Sequence, residues 1–190
     1  MRFIGFSFAL LLASCLVAAG ASAQQIVFVT EAQVQGDIQG GSLPAADEIC
    51  RSEAESAGLT GRFVAWLSTD VESAAERIGG STGPFELPSG ALIAADLTDL
   101  LDDTIANGIS ETATGGVGSG SAVWTGTARD GAARAQNCGN WTDLDFPVGG
   151  ITGASGQTSI GGWTDNGANP CRIQARLYCF ELPPPAVPSS

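Results

Sequence analysis

The sequence contains no histidine and no lysine, and these absences exclude several kinds of chemistry. Histidine is the usual general base of enzymes and the commonest metal ligand, so only carboxylates remain for acid–base work. Eight arginines face twenty acidic residues, which gives a net charge of −12. Phosphate backbones are bound through basic side chains, so this balance excludes nucleic acid as a partner. We therefore expect a protein that is not an enzyme, with a carboxylate-based hydrolase as an unfavoured alternative.

Long apolar runs are also missing after residue 23. Before that point, Arg2 precedes an apolar run, Phe3–Val17, and then the small residues Ala18–Ala23, which is the order of a secretory signal peptide. A membrane span needs about 20 apolar residues, more than this run has. We expect cleavage after Ala23 and an exported protein that is secreted, periplasmic or on the outer surface. Arg2 is lost with the signal, which leaves seven arginines against twenty acidic residues.

The same segment allows a second interpretation, because Leu12–Cys15 has the small-residue pattern of a bacterial lipoprotein box. Cys15 would then carry a lipid anchor. The residues after Cys15 stay apolar, whereas a lipid-bearing cysteine is usually followed by a polar tether, and this favours simple cleavage. In both interpretations Cys15 is not part of the folded domain.

Four cysteines remain, an even number that favours two disulfides in an oxidising compartment: Cys50, Cys138, Cys171 and Cys179. A strand over 172–180 would hold Cys171 and Cys179 about 27 Å apart at about 3.3 Å per residue, too far to bond. Each must then pair with one of the other two. Cys50 with Cys179 is the pairing that ties the two ends of the domain together, but spacing alone leaves Cys50 with Cys171 open.

Hydrophobic patterning predicts one mixed α+β domain over residues 24–181 and a Pro-rich disordered tail over 182–190. Two helices are predicted, Leu43–Ala57 with Cys50 on its inner face, and Val71–Ile78 capped by Thr69 or Asp70. Short β-branched and aromatic runs predict the strands, which are Gln25–Thr30, Arg62–Ser68, Phe85–Leu87, Ala91–Ala94, Ala122–Gly126 and Arg172–Phe180.

Several motifs in this order resemble the endostatin domain of collagens and the bacterial endostatin-like proteins. They are AADEICRSEAESAGLTGRFVAWLS from residue 45, AVWTGTARDG from 122, NCGNWTD from 137, ASGQTS from 154 and CRIQARLYCFE from 171. The resemblance implies a C-type lectin-like fold, in which two helices flank twisted antiparallel sheets with long, disulfide-stapled loops. It also implies a nested disulfide pattern, Cys50 with Cys179 and Cys138 with Cys171.

The resemblance also bears on function, and the sequence departs from it in two ways. Bacterial relatives include surface lipoproteins implicated in attachment to host matrix or serum proteins. The animal domain holds zinc through N-terminal histidines and binds heparin through arginine clusters. This chain has no histidine and only scattered arginines, so we carry over neither function.

Two tryptophans are candidate ligand contacts. Trp141 and Trp163 are flanked by Gly, Asn, Thr and Asp, which indicates loops, and indole rings stack on sugars and anchor protein interfaces. Trp66 and Trp124 lie within strand patterns and are predicted to be core. The sequence thus predicts a recognition module for an extracellular protein or glycan, with its ligand near Trp141 and Trp163.

Calcium-dependent sugar binding is the alternative function. Within the C-type lectin superfamily, Trp163-Thr164-Asp165 resembles a degenerate Trp-Asn-Asp calcium strand, although the Glu-Pro-Asn triplet of those lectins is absent. Calcium needs six to eight oxygen ligands. The candidates are Asp143, Asp145, Asp165, Asn166 and Asn169, provided that their loops converge; otherwise these residues simply cap turns.

Overall fold

The computed structural model describes residues 24–102 and 104–185 as a mixed α+β fold with a mostly β-sheet core. The predicted signal peptide, Cys15 and residues 186–190 lie outside the described residues. The strands are β1 (Gln25–Val29), β2 (Arg62–Ala65), β3 (Phe85–Glu86), β4 (Leu92–Ala94), β5 (Ala122–Trp124), β6 (Gly150–Ala154), β7 (Ala168–Asn169) and β8 (Arg176–Leu182). The helices are α1 (Ser42–Ser56), α2 (Ala74–Arg77), α3 (Leu97–Leu100), α4 (Cys138–Trp141) and α5 (Ile160–Trp163), and a short 3-10 turn spans Ile38–Gly40.

Strand β8 is the centre of the sheet, whose order is β4-β3-β1-β8-β5-β6-β7. It pairs with β1 and β2 in antiparallel fashion and with β5 in parallel fashion. Alternate side chains of β8 enter two separate apolar clusters, with Tyr178 and Phe180 on one face and Leu177 and Cys179 on the other. A strand that is buried on both faces has no solvent side, which explains its nearly continuous apolar sequence.

Helix α1 covers one face of the sheet through small residues. Ala46, Cys50 and Ala54 recur every four positions and are buried, so the helix backbone lies close to the strands. Gly58, at a φ of +76°, follows the end of the helix, a backbone conformation that glycine adopts at little cost. The sequence predicted this helix to within one residue at each end.

Both disulfides are formed, in the nested arrangement that the resemblance implied. Cys50 on α1 bonds Cys179 on β8, with 5.5 Å between their Cα atoms, and Cys138 bonds Cys171, with 5.7 Å between theirs. All four are almost completely buried. The two disulfides indicate that the protein matures in an oxidising, extracellular-type environment.

The second helix differs from its prediction. It is a single turn, Ala74–Arg77, capped by Ser73 and Glu76 in a reciprocal capping box, and not a helix over 71–78 capped by Thr69 or Asp70. The Asp70 carboxylate instead accepts hydrogen bonds from a distant loop, described below.

The last strand also begins later than predicted and ends later. The chain turns at residues 171–173, where the Ile173 N–H donates to the Pro170 carbonyl, and Ala175 forms an isolated bridge with Val34, so the strand starts at Arg176. Leu182, which the sequence assigned to the tail, is the buried last residue of β8.

Candidate functional site

All four tryptophans are completely buried. Trp66 and Trp124 are core residues, as predicted. Trp141 donates its indole N–H to the Ser68 carbonyl at 2.7 Å, and Trp163 packs 5.2 Å from the ring of Trp66. A side chain with no exposed surface cannot touch a ligand, so the prediction that Trp141 and Trp163 are ligand contacts is wrong for this conformation.

Three glycines distant in sequence allow the chain to pack closely against Trp141 and Trp163. A Cβ atom on Gly150 would lie 3.2 Å from the Trp141 ring, and one on Gly126 would lie 2.7 Å from it. On Gly153 it would lie 1.7 Å from the Trp163 carbonyl oxygen. Glycine is therefore present because an indole or its backbone packs against the chain at these points, and not because the segments are exposed loops.

The aspartates among the candidate calcium ligands are held in two separate segments. Asp143 and Asp145 lie in the loop before β6, whereas Asp165 and Asn166 lie beside the middle of β6, where the Asn166 N–H donates to the Thr152 carbonyl. The Asn169 amide donates to the Thr152 hydroxyl at 2.8 Å.

Two of these aspartates are bound by arginines. Asp145 pairs with Arg172, and Asp165 pairs with Arg134 at 2.7 Å. In the described part of the chain, no group of three or more acidic or cysteine side chains is placed to hold a metal ion. The carboxylates of the candidate set therefore do not gather in one place, although Asp145 and Asn169 both line the groove described below.

Helix α4 is a left-handed turn of four residues. The φ angles of Cys138, Gly139, Asn140 and Trp141 are 51°, 62°, 58° and 65°. Left-handed backbone costs a residue other than glycine about 1–2 kcal/mol, so three of these residues are strained. Strain of this kind collects at functional sites, where the surrounding structure holds it in place.

A clamp of two amides and a carboxylate holds this turn against the loop after β2. The side-chain amides of Asn137 and Asn140 donate to the two oxygens of Asp70 at 2.7 and 3.0 Å. In return, the Asp70 backbone N–H donates to the Asn140 side-chain oxygen at 2.8 Å. The sequence did not reveal this Asp70–Asn137–Asn140 clamp, because its members lie 67 and 70 positions apart.

Replacing Asn140 tests the strain directly. We expect Asn140→Ala to be less stable than Asn140→Gly by about 1 kcal/mol, because both lose the Asn140 side-chain bonds of the clamp but only alanine keeps the cost of left-handed backbone. Urea denaturation measures the difference. The matched control is Ser52 on α1, where alanine should be the more stable by about 1 kcal/mol. Equal stability of the two Asn140 variants would contradict the strain.

A groove opens between the loops on either side of the second disulfide, and we call it the loop groove. It is lined by residues 144–149 and 168–172 and has a volume of about 400 Å³. The Cys138–Cys171 disulfide, the Asp145–Arg172 ion pair and the pairing of β6 with β7 hold its two walls together. Val148, half of whose surface is exposed, lies on its rim. The groove is therefore a preformed concave surface with an exposed apolar residue.

Glu181 lies near the end of β8, where burial raises the pKa of its carboxyl above the ordinary value of 4.5. The Ile26 N–H donates to this carboxyl at 2.9 Å and opposes the shift. The folded protein therefore keeps a proton that the unfolded chain has already released, so Glu181 lowers the free energy of unfolding as pH rises through the interval above 4.5.

Glu181→Gln should remove this fall in the free energy of unfolding with rising pH. Measured by urea denaturation from about pH 4 to about pH 7, the stability of the wild type relative to the variant should fall as pH rises. Glu76 is the control of opposite sign, because hydrogen bonds from Ser73 lower its pKa. In a series of measurements that begins at about pH 3, the wild type should gain stability relative to Glu76→Gln as pH rises towards 4.5. Parallel curves for the Glu181 pair would contradict the raised pKa.

Comparisons with known proteins add no identification. No protein-family model matches the chain, and no curated protein matches it. None of the helices in residues 24–102 and 104–185 is long and apolar enough to cross a membrane.

Proposed function

We propose that the chain is a non-catalytic, exported recognition module with an endostatin-like, C-type lectin-like fold, and that it binds an extracellular protein or glycan through the loop groove. The observation that carries this proposal is the groove itself, whose apolar rim residue Val148 is exposed while its walls are fixed by a disulfide, an ion pair and strand pairing. Binding loops on a rigid scaffold need little ordering when a ligand arrives.

The described fold and disulfides are compatible with the proposed family. A central sheet lies between two apolar clusters, α1 packs on one side, and the two disulfides are nested. The described cysteines are all in disulfides, so they offer no free thiolate for catalysis. These features favour recognition over reaction.

Binding to named probes tests the loop groove. We expect the protein to bind at least one probe among immobilised fibronectin, laminin, collagen and fibrinogen or a printed glycan array. Val148→Asp should weaken that binding about tenfold or more, equivalent to about 1.4 kcal/mol, because it places a charge on the apolar rim. Val117→Asp is the matched control, since Val117 is 83% exposed on another loop.

Two results would contradict the proposal. One is the absence of binding to every probe. The other is equal binding by the wild type and Val148→Asp, with melting curves that show both to be folded.

Export is part of the same proposal and has its own test. Intact-mass spectrometry of the protein from the cells that produce it should show a chain that begins at Gln24, or one that carries a lipid on Cys15. A chain that keeps residues 1–23 unmodified would contradict export by either route.

A further inference from the structure

Strand β2 has one edge without a strand partner. The Trp66 N–H, directly after β2, donates to the Tyr178 carbonyl, so Val64 and Arg62 also direct their backbone groups towards β8. The backbone groups of Phe63 and Ala65 therefore point away from β8, towards the open edge.

The two outward-facing residues differ in whether their backbone groups have hydrogen-bond partners. The Ala65 N–H donates to Asp47 at 2.9 Å, and its carbonyl accepts from the Arg77 guanidinium at 3.2 Å. The N–H and carbonyl of Phe63 have no partner among the described residues, although only 3% of Phe63 is exposed. Buried backbone groups are almost always paired in native proteins, so Phe63 offers one donor and one acceptor to a ligand.

A slot lies in front of these groups. Asp47, Arg51 and Glu55, on one stripe of α1, face the open edge of β2 across a cavity of about 500 Å³. This slot shares Gly61, Arg62 and Arg77 with a second recess of about 670 Å³, which is lined by Glu181 and by an apolar stretch of Leu182 and Pro183–Pro185. The two cavities adjoin at the shared residues, and we call the pair the edge channel.

Four carboxylates line the edge channel, those of Asp47, Glu55, Glu72 and Glu181, and they outnumber its three arginines, which differ in their partners. Arg51 pairs with Glu48 and Glu55. Arg77 pairs with Asp47 and Glu72. Arg62 is exposed and has no carboxylate within 4 Å among residues 24–102 and 104–185, although the protein is strongly acidic. It is therefore free to bind an anionic group.

We infer that the edge channel binds an extended peptide segment of a partner protein that carries a carboxylate side chain. The peptide backbone pairs with the Phe63 N–H and carbonyl as an added strand, its carboxylate binds Arg62, and an apolar side chain packs against Leu182 and the prolines. The first two contacts use groups that have no partner among the described residues, and the third uses the apolar part of the recess wall. This surface is separate from the loop groove, so either proposal can fail without the other.

The test uses ¹⁵N-labelled protein with both disulfides formed and the probe peptide Ac-TVDVTV-NH2. We expect titration to shift the NMR signals of the Gly61, Arg62 and Phe63 amides and to reach saturation. Two altered peptides, one with asparagine in place of aspartate and one N-methylated at its four inner residues, should each bind about fivefold more weakly or worse.

Variants of the protein complete the test. Arg62→Gln should weaken binding of the aspartate peptide by about the same factor and abolish its preference over the asparagine peptide. Arg129→Gln, which removes another exposed arginine, should change neither.

Three results would overturn the inference. They are no saturable shift at Phe63, binding that is indifferent to Arg62 or to N-methylation, and concentration-dependent dimerisation, seen by analytical ultracentrifugation, that accounts for the Phe63 shifts without peptide. The last result would assign the edge of β2 to a second copy of this chain.

Discussion

Replacing Cys50 and Cys179 together by alanine is expected to lower the free energy of unfolding by about 5 kcal/mol. The disulfide joins residues 129 positions apart. In the chain-entropy model, closing a loop of this length lowers the entropy of the unfolded chain and so stabilises the fold by about that free energy. Since single domains are usually stable by about 5–15 kcal/mol, this loss would remove about a third or more of the total stability. Urea denaturation followed by circular dichroism measures the change.

The second disulfide is the matched comparison. Cys138 and Cys171 are 33 positions apart, so replacing both by alanine should cost about 4 kcal/mol, somewhat less than the first pair. The local effect should differ as well, because Cys138 begins the left-handed turn that the Asp70 clamp holds. A loss below about 1 kcal/mol for the Cys50–Cys179 pair would contradict its role in holding the ends of the domain together.

Replacing Trp141 by alanine is expected to destabilise the fold by about 3–5 kcal/mol. The indole is completely buried and packs 5.7 Å from the ring of Trp124, so its loss leaves a large cavity. The substitution also removes the hydrogen bond that the buried Ser68 carbonyl accepts from the indole N–H. Thermal and urea denaturation should both show the loss.

Trp141→Phe separates these two contributions. Phenylalanine fills part of the cavity but has no N–H, so this variant should lie between the wild type and alanine. A nearly unchanged melting curve for Trp141→Ala would mean that the indole is not core, and would restore it as a candidate ligand contact.

The elements that the sequence predicted well are those with a regular pattern. Helix α1 has apolar residues at fixed spacing and a glycine at its end, and the structure places it where expected. Six of the eight strands in the described residues were predicted, but most were predicted too long; Trp66 and Gly126, for example, lie beyond the last residues of β2 and β5. Strand β6 was missed because GITGA contains two glycines, which close approach to the neighbouring tryptophans requires.

The candidate sites were harder to predict, because they depend on contacts between distant segments. The clamp on Asp70 and the loop groove join residues that no local pattern connects. The open edge at Phe63 depends on the phase of strand pairing, which the residue types of β2 do not specify. The four tryptophans show the same problem, since identical side chains in strand-like and loop-like sequence are equally buried.

The position of the first disulfide also determines how the protein would respond to a mechanical load. Strands β1 and β8 are antiparallel, so their outer ends lie side by side, and a pull on both ends would separate their hydrogen bonds one after another. That peeling would stop at Cys50 and Cys179, because the covalent bond carries the force past the 129-position span between them. Within the described residues, only segments 24–49 and 180–185 could then extend, so the force would bypass the loop groove, which lies within the span.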